Sequence, residues 1–173
     1  MVSMSAVPAW FERRFDFTFP VELYPNVCVR LLGTPARIEE LLSNVGHERL
    51  TEESDGKWSV QEHAGHLADM EPLWMSRLND FVGSGKTLTV ADLSNRRTHE
   101  ANHNAHELTG ILHGFRARRL QLLERLGQLH EAQFAGTLVH PRLQQPMRLV
   151  DHLYFVAEHD DHHLAIIWNM ANA

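Results

Sequence analysis

Residues 147–170 read MRLVDHLYFVAEHDDHHLAIIWNM. On a helical wheel with Leu149 at zero, Leu153, Val156, Leu164 and Ile167 fall within about 60° of it, an apolar stripe running the length of a helix. His152, His159 and His163 fall at about −60°, −80° and −40°, along one edge of that stripe, whereas His162 lies near −140° and Asp161 near +120°. His159 and His163, four residues apart, share one face one turn apart, where two imidazoles can reach a single metal ion. Asp160 sits at about +20°, within the stripe. A carboxylate there must be paired, hydrogen-bonded or catalytic, because buried bare it would take up a proton or cost several kcal/mol. The segment His159-Asp160-x-x-His163 has the spacing of a zincin helix with aspartate in place of glutamate.

Upstream, three more apolar stripes recur at helical spacing. Thr34-Pro35 reads as a helix start followed by Ile38, Leu41, Leu42 and Val45, with Gly46 as terminator and a helical turn from Val27 to Leu32 before it. After a polar loop at 47–57, Ser59-Val60-Gln61-Glu62 is a capping box. It opens a second helix carrying Val60, Ala64, Leu67, Trp74, Leu78 and Phe81, closed by Gly83 and Gly85. A loop at 84–97 leads to a third helix with Ala101, Ala105, Leu108, Leu112, Phe115, Leu122 and Leu126 on one face, ending near Gly127. Residues 134–146, rich in Gly, Pro and Thr, read as a loop or short hairpin. Four amphipathic helices with little strand signal predict an all-α four-helix bundle over 31–173. Before it, Trp10, Phe11, Phe15, Phe17 and Phe19 run into Pro20 and Pro25, which predicts an extended aromatic N-terminal arm over 1–30 packed on the bundle.

Composition narrows the function. The chain has 173 residues with 16 Lys+Arg and 22 Asp+Glu, a net charge of −6, and no basic tract that would follow a phosphate backbone, so no nucleic acid is expected. At 43% hydrophobic and 22% charged it can bury one core. With no apolar run of membrane-spanning length, no signal-like N-terminus and the single cysteine Cys28, the expectation is a cytoplasmic protein with no membrane partner. The unusual figure is 13 histidines, enough for chance pairs to arise, so the helical pair needs a third ligand before it means a metal site. His63 and His66 on the second helix both flank its stripe, and spacing alone does not choose between them.

Three segments carry a resemblance: Gly56-Lys57-Trp58-Ser59-Val60-Gln61-Glu62, Gly65-His66-Leu67-Ala68-Asp69 and Ala157-Glu158-His159-Asp160-Asp161-His162-His163-Leu164. With their order and helix placement, the chain resembles the DinB/YfiT-like metalloenzymes over about 31–167, which implies a DinB-like four-helix bundle. The resemblance implies His66, His159 and His163 as ligands of one divalent metal ion per chain, nickel or zinc, and a homodimer. Three imidazoles leave coordination positions for water or a small-molecule substrate. Asp160 is expected to orient a ligand imidazole or act as a general base. His63, Trp74, Asn102, His103, Arg142 and His152 are pocket candidates, while Arg116, Arg118, Arg119 and Arg125 read as a solvated face.

The function these readings imply is metal-dependent hydrolysis by water activated in a bundle pocket. The resemblance also implies thiol transfer or isomerisation with a thiol cosubstrate. A non-enzymatic metal-binding stress-response protein is the alternative outside catalysis. Glu100-x-x-His103 admits a ferritin-like carboxylate bundle, but the second such motif it needs is missing, Asp160-x-x-His163 being the nearest.

Overall fold

The structure, a computed structural model, describes residues 6–54 and 56–172. The first five residues of the expected arm and Ala173 at the end of the expected bundle lie outside the described residues. The α-helices are α1 Tyr24–Leu42, α2 His47–Thr51, α3 Val60–Val82, α4 Arg96–Ala101, α5 Leu108–Gly127 and α6 Leu149–Ala171. Strands β1 Thr137–His140 and β2 Gln145–Arg148 form an antiparallel hairpin with Thr137 opposite Arg148. The four long helices make the bundle: α1 and α3 each pack against both α5 and α6.

Several boundaries differ from the sequence expectation. The first helix starts at Tyr24, with Pro25 in its first turn, so Pro35 lies inside α1 and the arm ends before Val21 rather than at residue 30. A proline in a helix interior deprives the carbonyl four residues back of its donor. That carbonyl, of Leu31, accepts instead from Arg119 Nη1 at 3.0 Å, which removes the penalty that would have ended the helix. The expected third helix is interrupted: α4 ends at Ala101 and is followed by Asn102 in the left-handed region (φ 48°), a 3₁₀ turn spans His103–Ala105, and α5 begins only at Leu108. The polar loop at 47–57 contains the short α2, which buries Leu50.

The core has two apolar clusters. One holds Val27 and Leu31, Trp74 and Leu78, Leu122 and Leu126, and Leu149 to Ala157; the other holds Ile38 and Leu42, Val60 to Ala68, Leu112 and Phe115, and Leu164 and Ile167. Four buried polar residues, one from each long helix, are joined by hydrogen bonds: Thr34, Glu71, Arg119 and Asp160. Arg119 Nη1 donates to Asp160 Oδ2 at 2.6 Å and Nη2 to Glu71 Oε1 at 2.6 Å, while Thr34 Oγ1 donates to Asp160 Oδ2 at 2.8 Å. Arg119 is therefore not on a solvated face as the sequence suggested; it is fully buried, because two carboxylates and a carbonyl from three other helices converge on it.

The arm covers the α6 side. Trp10 and Phe15 pack on Phe155 with ring centroids 5.1 and 5.0 Å away, and Phe19 lies 5.2 Å from Tyr154. Arg13 pairs with Glu158, and Arg148 Nη2 donates to the carbonyls of Phe17 and Phe19 at 3.1 and 2.9 Å. No helix among the described residues is long and apolar enough to cross a membrane.

Candidate metal centre

Helix α3 starts where its capping box dictates: the Glu62 N–H donates to Ser59 Oγ at 3.1 Å, and the Ser59 N–H donates to Glu62 Oε2 at 2.8 Å. That fixes His66 two turns in, facing α6. Beside it, Gly65 admits the His103 ring, since a Cβ there would come within 2.5 Å of three of its ring carbons. His103 Nε2 lies 2.7 Å from Asp69 Oδ2. Burial alone would raise the Asp69 carboxyl, but its hydrogen bond with His103 and the charge of Arg97 hold it below its usual range. Thr98 Oγ1 lies 3.0 Å from His66 Nδ1. That contact occupies Nδ1 and leaves Nε2 as the nitrogen His66 can offer.

On α6, His159 and His163 point the same way, and one ring nitrogen from each of His66, His159 and His163 lies within 4.8 Å of the others. His66 Nε2 and His159 Nε2 are 3.4 Å apart. Two imidazole nitrogens on one tetrahedral ion, each about 2.05 Å from it, would be separated by about 3.3 Å, so the pair fits a shared cation. His163 Nδ1 is 2.9 Å from His63 Nδ1, which leaves Nε2 as the nitrogen His163 can offer. His159 Nδ1 is buried with no hydrogen-bond partner, and the ring is held by packing, edge-on to Trp10 and Trp74 at 5.1 and 5.5 Å. Burial, reinforced by the neighbouring imidazoles, pushes His66 down to about 4 and His159 and His163 well below the usual histidine range. Three neutral imidazoles with converging lone pairs are a donor set for a divalent transition metal, and each gains by binding one what burial denies it as a proton acceptor.

The triad forms one wall of a cavity of about 560 Å³. Trp10 and Phe11 of the arm, Trp58, Trp74 and Phe155 supply aromatic walls. The hairpin turn His140-Pro141-Arg142 closes one side, held to the loop before α4 by Leu88 N–H to Val139 O at 3.0 Å and Val139 N–H to Lys86 O at 2.9 Å.

Trp74 and Arg142, expected in a pocket, line this cavity. His63 stands behind the triad as the partner of His163. The other three pocket candidates are elsewhere. Asn102 is exposed at the αL end of α4, His103 is buried against Gly65 and Asp69, and His152 is fully buried against Trp74, Phe81 and Phe155 with neither ring nitrogen bonded. Asp160 holds no imidazole: its oxygens are taken by Thr34 and Arg119, which face it from α1 and α5.

Sequence reasoning missed Thr98, Arg77 and the cavity role of His162. The wheel put His162 away from the core, but the arm folds over it, so that it lines the cavity 5.5 Å from the Trp10 ring. The aromatic density of the arm was the available signal. Burial lowers the His162 pKa, with Arg13 adding to the effect.

A family profile described as the DinB superfamily matches residues 30–167. Among solved structures, the chain is similar to YfiT from Bacillus subtilis, described as a probable metal-dependent hydrolase with an unusual four-helix bundle topology. That match has a TM-score of 0.78 and 20% identity and covers 93% of each chain. It is also similar to the mycothiol-dependent maleylpyruvate isomerase, at a TM-score of 0.65 and 12% identity over 85% of this chain and 60% of that one. No curated protein sequence matches this chain.

Proposed function

The chain belongs to the DinB superfamily, and from that premise we propose that it is a metal-dependent hydrolase of a small-molecule substrate, with His66, His159 and His163 holding one nickel or zinc ion. The observation that carries this reading is the convergence of three buried, neutral imidazoles on one point in the wall of a 560 Å³ cavity. When bound, such an ion supplies a Lewis acid that lowers the pKa of coordinated water and polarises a carbonyl. The chain's own groups do the rest. Thr98 and His63 orient two of the rings, and the Trp10, Trp74 and Phe155 walls exclude bulk water from the reacting centre. His162, half-buried in the cavity wall and neutral at physiological pH, is the imidazole placed to take up a proton from the attacking water.

The likeness to YfiT favours hydrolysis, and the likeness to the mycothiol-dependent isomerase supports a second reading, thiol transfer or isomerisation at the same centre. A homodimer in the cytoplasm completes the proposal. The test is elemental analysis of the purified, untagged protein beside His159→Ala, followed by a panel of esters and amides and a thiol-consumption assay with an electrophile. Near one ion per chain, lost in His159→Ala with helix content intact, and hydrolysis without thiol loss are the expected results. Thiol consumption in place of hydrolysis would move the assignment to the second reading. Absence of metal in both proteins after reconstitution would overturn both and leave a non-enzymatic role.

A further inference from the structure

We propose that Arg77, His140 and Arg142 form an oxyanion-binding subsite in the cavity wall, so that the substrate is a largely apolar molecule carrying a carboxylate or phosphate group. As a statement about substrate it rests on the triad being the reacting centre, since all three residues line the same cavity as His66, His159 and His163.

The argument begins with His140. Its Nδ1 is approached by the backbone N–H groups of Arg142 and Leu143, each at 3.2 Å, and its Nε2 lies 3.2 Å from Arg77 Nη1, which is always a donor. Both ring nitrogens therefore face donors, while a neutral imidazole has one lone pair for accepting. With the proton on Nε2, as the two backbone donors require, that N–H and the Arg77 guanidinium face each other with no acceptor between them. Burial, helped by the charges of Arg77 and Arg142, pushes His140 down to about 3, so the ring is neutral.

Neither arginine has an ion pair among the described residues. Arg77 is only 2% exposed, yet among the described residues no carboxylate lies within ion-pair distance of it; its Nε donates to the Thr89 carbonyl at 2.9 Å. Arg142 Nη2 is buried without a hydrogen-bond partner, and Arg142 likewise has no ion pair among the described residues. The nearby acids are engaged elsewhere. Asp80 accepts from Thr89 N and Oγ1 at 2.6 and 2.8 Å, and Asp92, at the cavity rim, accepts from Ser94 and from the Arg96 N–H. Two guanidinium cations without a counter-charge and a ring N–H facing a donor, beside one cavity, are what an oxyanion would satisfy. Apart from the histidines, Asp92 and Asn95, the remaining lining is apolar, and the exposed side chains of Phe11, Val90 and Leu93 lie along it, so the rest of the ligand is a hydrophobic or aromatic body.

The test is a titration of the metal-free protein with benzoate, phenyl phosphate and neutral benzyl alcohol. The readout is the fluorescence of the cavity tryptophans Trp10, Trp58 and Trp74, checked by calorimetry. Benzoate or phenyl phosphate should bind saturably and at least about tenfold more tightly than benzyl alcohol, and the stronger of the two identifies the oxyanion. Arg142→Gln should lose that preference and Arg142→Lys recover part of it, with unchanged circular dichroism in both. Equal binding of all three probes, or an unaltered preference in Arg142→Gln, would overturn the subsite. Metal uptake by the same samples is read separately. Anion selection without metal uptake would sustain the subsite and sink the hydrolase reading, whereas metal uptake without anion selection would do the reverse.

Discussion

The hydroxyl of Thr98 decides which nitrogen of His66 is free for a metal. By hydrogen bonding with Nδ1, it leaves Nε2 directed at His159. Thr98→Val keeps the shape and removes that hydrogen bond, so Nδ1 loses its partner and the ring its fixed orientation. Metal affinity, measured by competition with a chromophoric chelator, should fall by about 10- to 100-fold, and Thr98→Ser should restore most of it. An unchanged affinity in Thr98→Val would mean that packing against Trp58, 4.8 Å away, orients the ring by itself. At this scale the residues of the candidate triad were legible, because the i, i+4 pair is a local pattern and the segment around His66 carries the family resemblance. Thr98 was not, since it reaches His66 across 32 residues and an intervening loop.

At the scale of elements, the decisive feature is the hydrogen-bonded polar layer to which each long helix contributes one side chain. The layer ties the registers of α1, α3, α5 and α6 together, and Asp160 within it is adjacent to His159. It sets one guanidinium against two carboxyl groups. Burial pushes Glu71 up to about 7 against the pull of Arg119, while Arg119, which burial alone would lower, is raised by Asp160 and Glu71. Arg119→Met would strand both carboxylates and leave the Leu31 carbonyl opposite Pro35 without a donor. The expected loss is about 3–5 kcal/mol in urea unfolding. Replacing Glu71 and Asp160 with Gln and Asn in the same protein should recover part of it. A loss below about 1 kcal/mol for Arg119→Met alone would show that the layer is not holding register.

For the whole molecule, the histidines set the pH response. In the metal-free protein His63 and His66 are pushed down to about 4 and His140 to about 3 by burial first and neighbouring charge second, with His152, His159 and His163 also well below the usual range. Between those folded values and the unfolded value near 6.5 the unfolded chain binds more protons, so stability is lost as pH falls from about 6.5. Glu71 acts oppositely: its raised pKa contributes stability at low pH that is lost as pH rises through about 7. Six histidines outweigh one glutamate. Urea midpoints of the metal-free protein should therefore fall steadily from pH 6.5 to 4.5, and Glu71→Gln should steepen that fall. A flat profile would contradict the buried, neutral state of the imidazoles. Bound metal should flatten it, because an ion competes with protons for three of these rings.

The sequence by itself determined the helical class, the four apolar stripes, the Ser59 capping box and the His159/His163 pair, because each depends on periodicity or on neighbours within a turn or two; spacing left His63 and His66 open, and only the family resemblance chose between them. Only the tertiary structure decided the rest. Pro35 sits inside α1 because Arg119 from another helix satisfies the carbonyl it leaves bare, and Arg119 is buried because acids on α3 and α6 meet it there. Asp160 was readable as a carboxylate in need of a partner, but which partner depended on a contact 41 residues away. His162 joined the cavity wall when the arm folded across it, and Arg77, His140 and Arg142 met only through the hairpin. A charged side chain's role is set by what desolvates and faces it, and those groups come from distant parts of the chain that only packing brings together.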